Sequence, residues 1–352
     1  MDTTALHDLL REMLDRFLVT HSPPGQEEEM AAAARPYLEE YCDEVWTDAH
    51  DDLIGKIAGE SAEGAIVVAA HKDEIGCVVE RIEDDGRVRL EDLGGMQAWR
   101  YGEGPFDLLG DEIVTGVLSV GSTHVSARSA EINAAKTNTP MNWDAARVVT
   151  GLSREELAER GVRVGSRALV ARARKPPMYF DGRVCGYGLD DKGAVAASLL
   201  GAKLLRAGPR PPVDVYIAIT AAEEGGCSGG QFVAHHLPVD TMIAVEVAPV
   251  APEYDIAMTP APVVVFKDRF IYTRSICERL CALGDELGCG HQRTILRTFG
   301  SDASVAHQAG AIGRAACLGF PTENTHGYEM AQFEAIANCG RVLAAYLADP
   351  VR

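Results

Sequence analysis

Five short stretches of this chain carry residues that could do chemistry. His71-Lys72-Asp73-Glu74 follows the apolar run Ala65–Ala70. Asp190-Asp191 stands between Gly188 and the helix-forming run Ala194–Leu205. Glu223-Glu224-Gly225-Gly226 closes the apolar run that begins at Val213. Glu246 ends the run Met242–Val245, and His326 sits in Pro321-Thr322-Glu323-Asn324-Thr325-His326-Gly327. A neutral imidazole is a strong ligand for zinc or cobalt, and a nearby carboxylate, here Asp73, commonly orients it through its second nitrogen. Adjacent glutamates in a half-buried place are costly without a cation. One of Glu223 and Glu224 then suits a metal, and the other suits general-base work with a pKa tuned towards neutrality. A helix opening at Asp190-Asp191 would turn free N–H groups and its positive dipole end towards those carboxylates.

Each stretch also has a plain reading. Asp190 or Asp191 could be an N-cap. His71 could mark a solvated turn, and Glu223-Glu224 an acidic surface turn. The same pattern of an apolar strand followed by acids or His recurs, which favours one dinuclear site built at strand ends. The set offers one bridging carboxylate, and one His plus one carboxylate for each of two metals. Ions about 3.5–4 Å apart can hold and activate a water between them. His and carboxylate donors favour zinc or cobalt over magnesium.

These residues need a framework. Leu6, Leu9, Leu10, Met13, Leu14, Phe17 and Leu18 form one helical stripe, stopped by Thr20-His21-Ser22-Pro23-Pro24-Gly25. Gln26 to Tyr41 reads as a second helix, with the acidic run Gln26–Glu29 as its solvated start. Val45–Thr47 and Leu53–Ile57 read as a hairpin region. Ala65–Ala70 has no polar alternation, as expected of a parallel strand covered on both faces. From Ile75 to about Met178 helical periodicity gives way to short strands (Cys77–Ile82, Val88–Leu90, Ile113–Val120, Ala168–Ala171), one helix (Ser153–Arg160), and loops at Gly94-Gly95 and Asn133–Asn142. Strands and helices then alternate again: Ala194–Leu205, Val213–Ile219, Met242–Val245, Val263–Phe266, Tyr272–Leu287 and Ala331–Leu347. This implies an α/β layered domain with a largely parallel sheet, interrupted by a small β insert.

Composition limits the function. Lys and Arg number 33 against 52 Asp and Glu, a net charge of −19. Phosphate binding needs clustered basic residues, so nucleic acid is excluded as a partner. No apolar run approaches the roughly 18 residues of a membrane span, and Met1-Asp2-Thr3-Thr4 lacks the basic start of a signal peptide. The nine Cys are odd in number and contain no Cys-x-x-Cys pair, so neither a disulfide framework nor a Cys-rich zinc site is expected. Most read as buried thiols of a reducing, cytoplasmic compartment.

The order His71-x-Asp73-Glu74-Ile75-Gly76, Asp190-Asp191-Lys192-Gly193, Glu223-Glu224-Gly225, Glu246 and Pro321-Thr322…His326 resembles the M42 metalloaminopeptidases, the glutamyl and tetrahedral aminopeptidases. Pro24-Gly25-Gln26-Glu27, Leu93-Gly94-Gly95, Gly116…His124 and Gly300-Ser301-Asp302-Ala303 extend the resemblance along the chain. The resemblance implies a zinc-peptidase-like three-layer sandwich over 1–74 and 179–352. It implies a small barrel-like dimerisation insert over 75–178. His71 and Glu246 would bind one metal, Glu224 and His326 the other, with Asp190 bridging. Glu223 would be the general base and Asp73 would orient His71. A water between two zinc or cobalt ions would attack the peptide carbonyl and release N-terminal residues. A cytoplasmic homo-oligomer, built from dimers up to a dodecamer, is implied too. Glu246 stands where the family usually has Asp, and Lys192 where Arg is common.

Two rivals stay open. A carboxypeptidase or N-acyl amino acid deacylase could use the same dinuclear site, and Glu246 favours it. A metal-binding scaffold without catalysis would have no use for the free base Glu223.

Overall fold

The computed structural model describes residues 3–126, 128, 132 and 140–351. Of the expected loop Asn133–Asn142, residues 133–139 lie outside the described ones. The strands in chain order are β1 (Glu44–Thr47), β2 (Leu53–Ile57), β3 (Ser61–His71), β4 (Gly76–Ile82), β5 (Val88–Leu93), β6 (Gly104–Leu109), β7 (Ile113–Ser119), β8 (Arg147–Val149) and β9 (Arg167–Val170). They continue as β10 (Met178–Phe180), β11 (Arg183–Gly186), β12 (Val213–Thr220), β13 (Val239–Pro249), β14 (Val263–Lys267), β15 (Gln292–Ile295), β16 (Arg314–Glu323) and β17 (Glu329–Gln332).

The apolar runs make the centre of a large sheet ordered β1-β2-β12-β3-β13-β16-β17-β11-β10, with β14 and β15 attached beside β16. β12, β3, β13 and β16 run parallel, with Val68 of β3 opposite both Ile217 and Ile243. The parallel block is narrower than the apolar pattern implied. β1–β2, β2–β12, β16–β17, β17–β11 and β11–β10 pair antiparallel. All of β12 and the last seven residues of β3 are buried, so helices or loops cover both faces. The helix Leu189–Arg206 packs against β3, β13 and the helix Phe333–Ala348. Its Gly193 admits the Phe320 ring, which a Cβ would meet at 2.7 Å.

The parallel register decides where chemistry can happen. Thr220 pairs with His71, and Ala244 with Ala69. The carboxyl ends of β3, β12 and β13 therefore finish at one edge, where open α/β sheets bind ligands.

The chain between β3 and β10 forms a closed barrel ordered β4-β5-β8-β7-β6-β9. β6 and β8 were not evident in the sequence. Gly104-Pro105 opens β6, and β8 has only three residues, too short for a period-2 signal. The helix Arg154–Glu159 has the expected start: Ser153 caps Glu156 N, and the Glu156 side chain answers Ser153 N.

The loop after the first helix (Thr3–Phe17) fastens the barrel to the sheet. His21 Nε2 lies 3.0 Å from Asp107 Oδ2 on β6. Arg167 Nε on β9 donates to Pro24 O at 3.0 Å, and Arg172 Nη1 to Val19 O at 2.9 Å. Beneath this loop, Glu74 Oε1 accepts from two buried ammoniums, Lys175 at 2.6 Å and Lys192 at 2.9 Å. Both lysines also donate to Thr20 O.

Candidate metal centre

Each expected site residue lies at the carboxyl edge of the sheet or in a loop folded over it. His71 is the last residue of β3, and Glu246 lies within β13. Glu223 and Glu224 follow β12, and His326 lies between β16 and β17. Asp190 and Asp191 open the helix Leu189–Arg206 but have non-helical backbone, and no side chain caps that helix. The N-cap reading of this pair is therefore overturned: the backbone turns both carboxylates away from capping.

Asp190 stands between two histidines. Its Oδ1 is 3.2 Å from His71 Nε2, and its Oδ2 is 3.6 Å from His326 Nε2. Glu224 Oε1 lies 3.3 Å from the same His326 nitrogen. Donor atoms of His71, Asp190, Asp191 and Glu246 fall within 4.8 Å of one another, and so do those of Asp190, Glu224 and His326. The structure thus brings all five expected ligands together in two groups that meet at Asp190.

Glu223 sits against the first group, with Oε2 3.9 Å from His71 Nε2. Its Oε1 accepts from Cys227 Sγ at 2.9 Å. Asp73 does two things. Its backbone oxygen accepts from His71 Nδ1 at 3.0 Å, which leaves Nε2 facing the cluster. Its carboxylate accepts from the Glu223 and Glu224 N–H groups, each at 3.0 Å.

The electrostatics ask for cations. Burial and the Asp191 charge push Glu246 well above the carboxylate range. Burial also raises Asp191, reinforced by Asp190. Burial, Asp302 and Glu224 carry Glu223 up to about 8, against the pull of His71. Burial opposes the charge on His326, yet its bond to Glu224 lifts it to about 10. His71 is likewise raised, its bonds to Asp190 and Asp73 outweighing burial. Asp191 Oδ1 is buried without a hydrogen-bond partner. Crowded carboxylates and imidazoles with an orphaned oxygen fit divalent ions such as zinc or cobalt.

Several residues of the site have no role assigned from the sequence. Asp191 stands with the first group. Glu329 is buried on β17 and accepts from the N–H of Asp190 at 3.0 Å and of His326 at 3.1 Å. It lies three residues after His326, the one signal that could have drawn attention to it. Asp302, in the Gly300-Ser301-Asp302-Ala303 motif, accepts from Thr220 Oγ1 at 2.6 Å. Glu27 is a correction. It was expected on a solvated helix start but is only 6% exposed, because Lys72 Nζ lies 2.9 Å from its carboxylate.

A cleft of about 750 Å³ opens over the centre, lined by His71, Asp190, Glu223, Glu224, Glu246 and His326 among others. A family profile described as M42 glutamyl aminopeptidase matches residues 52–342. The chain belongs to the M42 glutamyl aminopeptidase family. Membership supports aminopeptidase activity and a metal-dependent site. This M42 member is 29% identical to the lysyl aminopeptidase of Pyrococcus furiosus over 225 residues, 60% of this chain and 58% of the relative. Its fold matches a TET aminopeptidase from a marine-sediment Thaumarchaeota archaeon at a TM-score of 0.89 and 22% identity, covering 97% of each chain. It matches the TET1 peptidase of Pyrococcus horikoshii at 0.84 and 23%, covering 97% of this chain and 99% of that one. The latter protein can assemble into a tetrahedron or a large octahedral shell. No helix among the described residues is long and apolar enough to cross a membrane.

Proposed function

We propose that this chain is a dinuclear metalloaminopeptidase that removes N-terminal residues from peptides. The observation that carries this reading is the placement of Asp190 between two His/carboxylate groups, with Glu223 beside them. His71, Asp190 and Glu246 would hold one divalent ion, with Asp191 in reach, and Asp190, Glu224 and His326 the other. Two such ions, zinc or cobalt, would polarise the scissile carbonyl and acidify a water held between them.

The residues do the rest. Asp73 fixes the His71 tautomer through Nδ1, so that Nε2 faces the ligand carboxylates. Glu329 holds the backbone of both Asp190 and His326. Glu223 takes a proton from the attacking water and returns it to the leaving amine. Its position near 8 without cations is drawn towards neutrality by positive charge beside it. The free α-amino group of the substrate would dock at the metal site, which would restrict cleavage to a free N-terminus.

The sheet portion, 1–74 with 179–352, would carry catalysis, and the barrel portion, 75–178, would mediate dimerisation within a cytoplasmic homo-oligomer. The horikoshii likeness supports assembly, and light scattering on the purified chain tests it; a monomer sinks it. For activity, the metal-loaded protein is assayed on free-amine aminoacyl amides, with N-acetylated and C-terminal substrates alongside. Hydrolysis confined to free-amine substrates, and lost in Glu223→Gln, supports the aminopeptidase. Glu246 in place of the usual Asp favours the deacylase or carboxypeptidase reading, and cleavage of the other substrates would establish that instead.

A further inference from the structure

The turn that carries Glu223 and Glu224 is held from outside the metal centre. Four successive N–H groups donate to carboxylates. Ala221 donates to Asp52 Oδ1 at 2.7 Å, and Ala222 to Glu27 Oε1 at 3.1 Å. Glu223 and Glu224 donate to the two oxygens of Asp73. Ala222 lies in the left-handed region at φ 51, which a residue with a Cβ keeps only where its surroundings hold it. Asp52 and Glu27 are both buried.

Neither Glu27 nor Asp52 belongs to the ligand groups. Glu27 comes from the loop before the helix Glu28–Tyr41, and its Oε1 also accepts from Gly25 N at 3.0 Å. Its Oε2 faces Lys72 Nζ, which donates onward to Asp51 O at 2.8 Å. Lys72 itself follows His71, and its N–H donates to Thr220 O at 2.9 Å. The Glu27–Lys72 pair therefore ties the end of β3 to the turn after β12. The far side of the turn faces a second cavity of about 590 Å³, lined by Glu27, Lys72, Ala221 and Ala222 among others. Packing there does not substitute for the hydrogen bonds.

We propose that Glu27 and Asp52 are positioning residues for the general base, holding the backbone of Ala221 and Ala222 so that the Glu223 carboxylate that follows meets the centre. This rests on the reading of Glu223 as the base. Both act through the main chain and touch neither substrate nor metal. A displaced catalytic group costs rate rather than binding, because the reacting geometry is no longer formed in advance.

The test uses the full-length, metal-loaded protein with Glu27→Ala, Glu27→Gln, Asp52→Ala and Asp52→Asn. Three quantities are measured: kcat and KM on the best free-amine amide, bound metal per chain, and amide exchange across residues 220–227 by mass spectrometry. Expected is a fall in kcat of about 10- to 100-fold in the two Ala variants, KM within twofold, undiminished metal, and faster exchange in that segment. The Gln and Asn variants keep an acceptor oxygen and recover most of kcat. Unchanged kcat in both Ala variants overturns the proposal, as does loss of metal that accounts for the lost rate. Exchange needs no substrate, so faster exchange in a protein without peptidase activity sinks the aminopeptidase reading and leaves the cradle standing. Unchanged exchange in both Ala variants overturns the cradle whatever the activity.

Discussion

The two acid/His groups that meet at Asp190 differ in depth. His71 is 2% exposed and sits among Asp191 and Glu246, both buried. The His326 side chain is 38% exposed, and its loop borders the cleft. Coulomb attraction is strong where water is excluded and weak where it is not. An ion in the deep group should be held tightly and exchange slowly, whereas one in the shallow group should leave first. Two subsites can therefore share a ligand yet differ in role: one fixed, one open to the incoming peptide.

The largest effect should come from the general base beside the deep group. Glu223→Gln should lower turnover by about 10²- to 10⁴-fold while metal content stays the same, checked by steady-state rates beside elemental analysis. Next come the histidines. His326→Ala should leave one tightly held ion per chain, and His71→Ala should fail to retain the deep one. In each case affinity at that subsite should drop by more than the about 10- to 100-fold typical of losing a supporting partner. Chelator titration followed by metal counting would reverse the assignment of depth if His326→Ala lost both ions and His71→Ala neither. Glu329→Gln should have a smaller effect, roughly tenfold on the shallow ion, because its oxygens hold Asp190 and His326 only through their backbones.

The last prediction concerns stability. The Lys175 and Lys192 ammoniums outweigh burial and hold Glu74 down at about 2, against an ordinary 4.5. A depressed carboxylate contributes stability that is fully present above its unfolded pKa and is lost as pH falls towards its folded one. The shift corresponds to about 3 kcal/mol as an upper figure, and burial, which lowers Lys175 to about 7, offsets part of it. The wild type should lose that stability between about pH 4.5 and 2. Glu74→Gln should be less stable at pH 6 and show a flatter decline over the same window in thermal melts. Equal slopes would mean that Glu74 contributes nothing to acid unfolding.

The deep group was more legible in the sequence than its supports. Ala65–Ala70, Val215–Ile219 and Met242–Val245 are continuous apolar runs, so the polar residues that follow them stood out. His71, Glu223, Glu224 and Glu246 were found that way, and Asp190 and His326 by joining them. Glu329 had no such frame, since β17 is four residues long and follows a turn. β16 was missed because Gly319 and Pro321 interrupt its run, although it forms the last strand of the parallel block. Glu27 was misread because three consecutive glutamates look alike as a string. Only the fold shows that one of them turns inward to meet Lys72. Burial of a charge is set by its distant partner, and local pattern does not carry that information.

One loop does two jobs. Residues 19–27 grip the barrel through His21, Pro24 and Val19, and the same stretch ends in Glu27, whose oxygen steadies Ala222. A tilt of the barrel would pull on this stretch before it reached any ligand. If barrels of neighbouring chains lean on one another, the strain of assembly has a direct mechanical line to the proton-carrying glutamate. A single protease cut within the loop would sever that line and loosen the barrel in the same stroke.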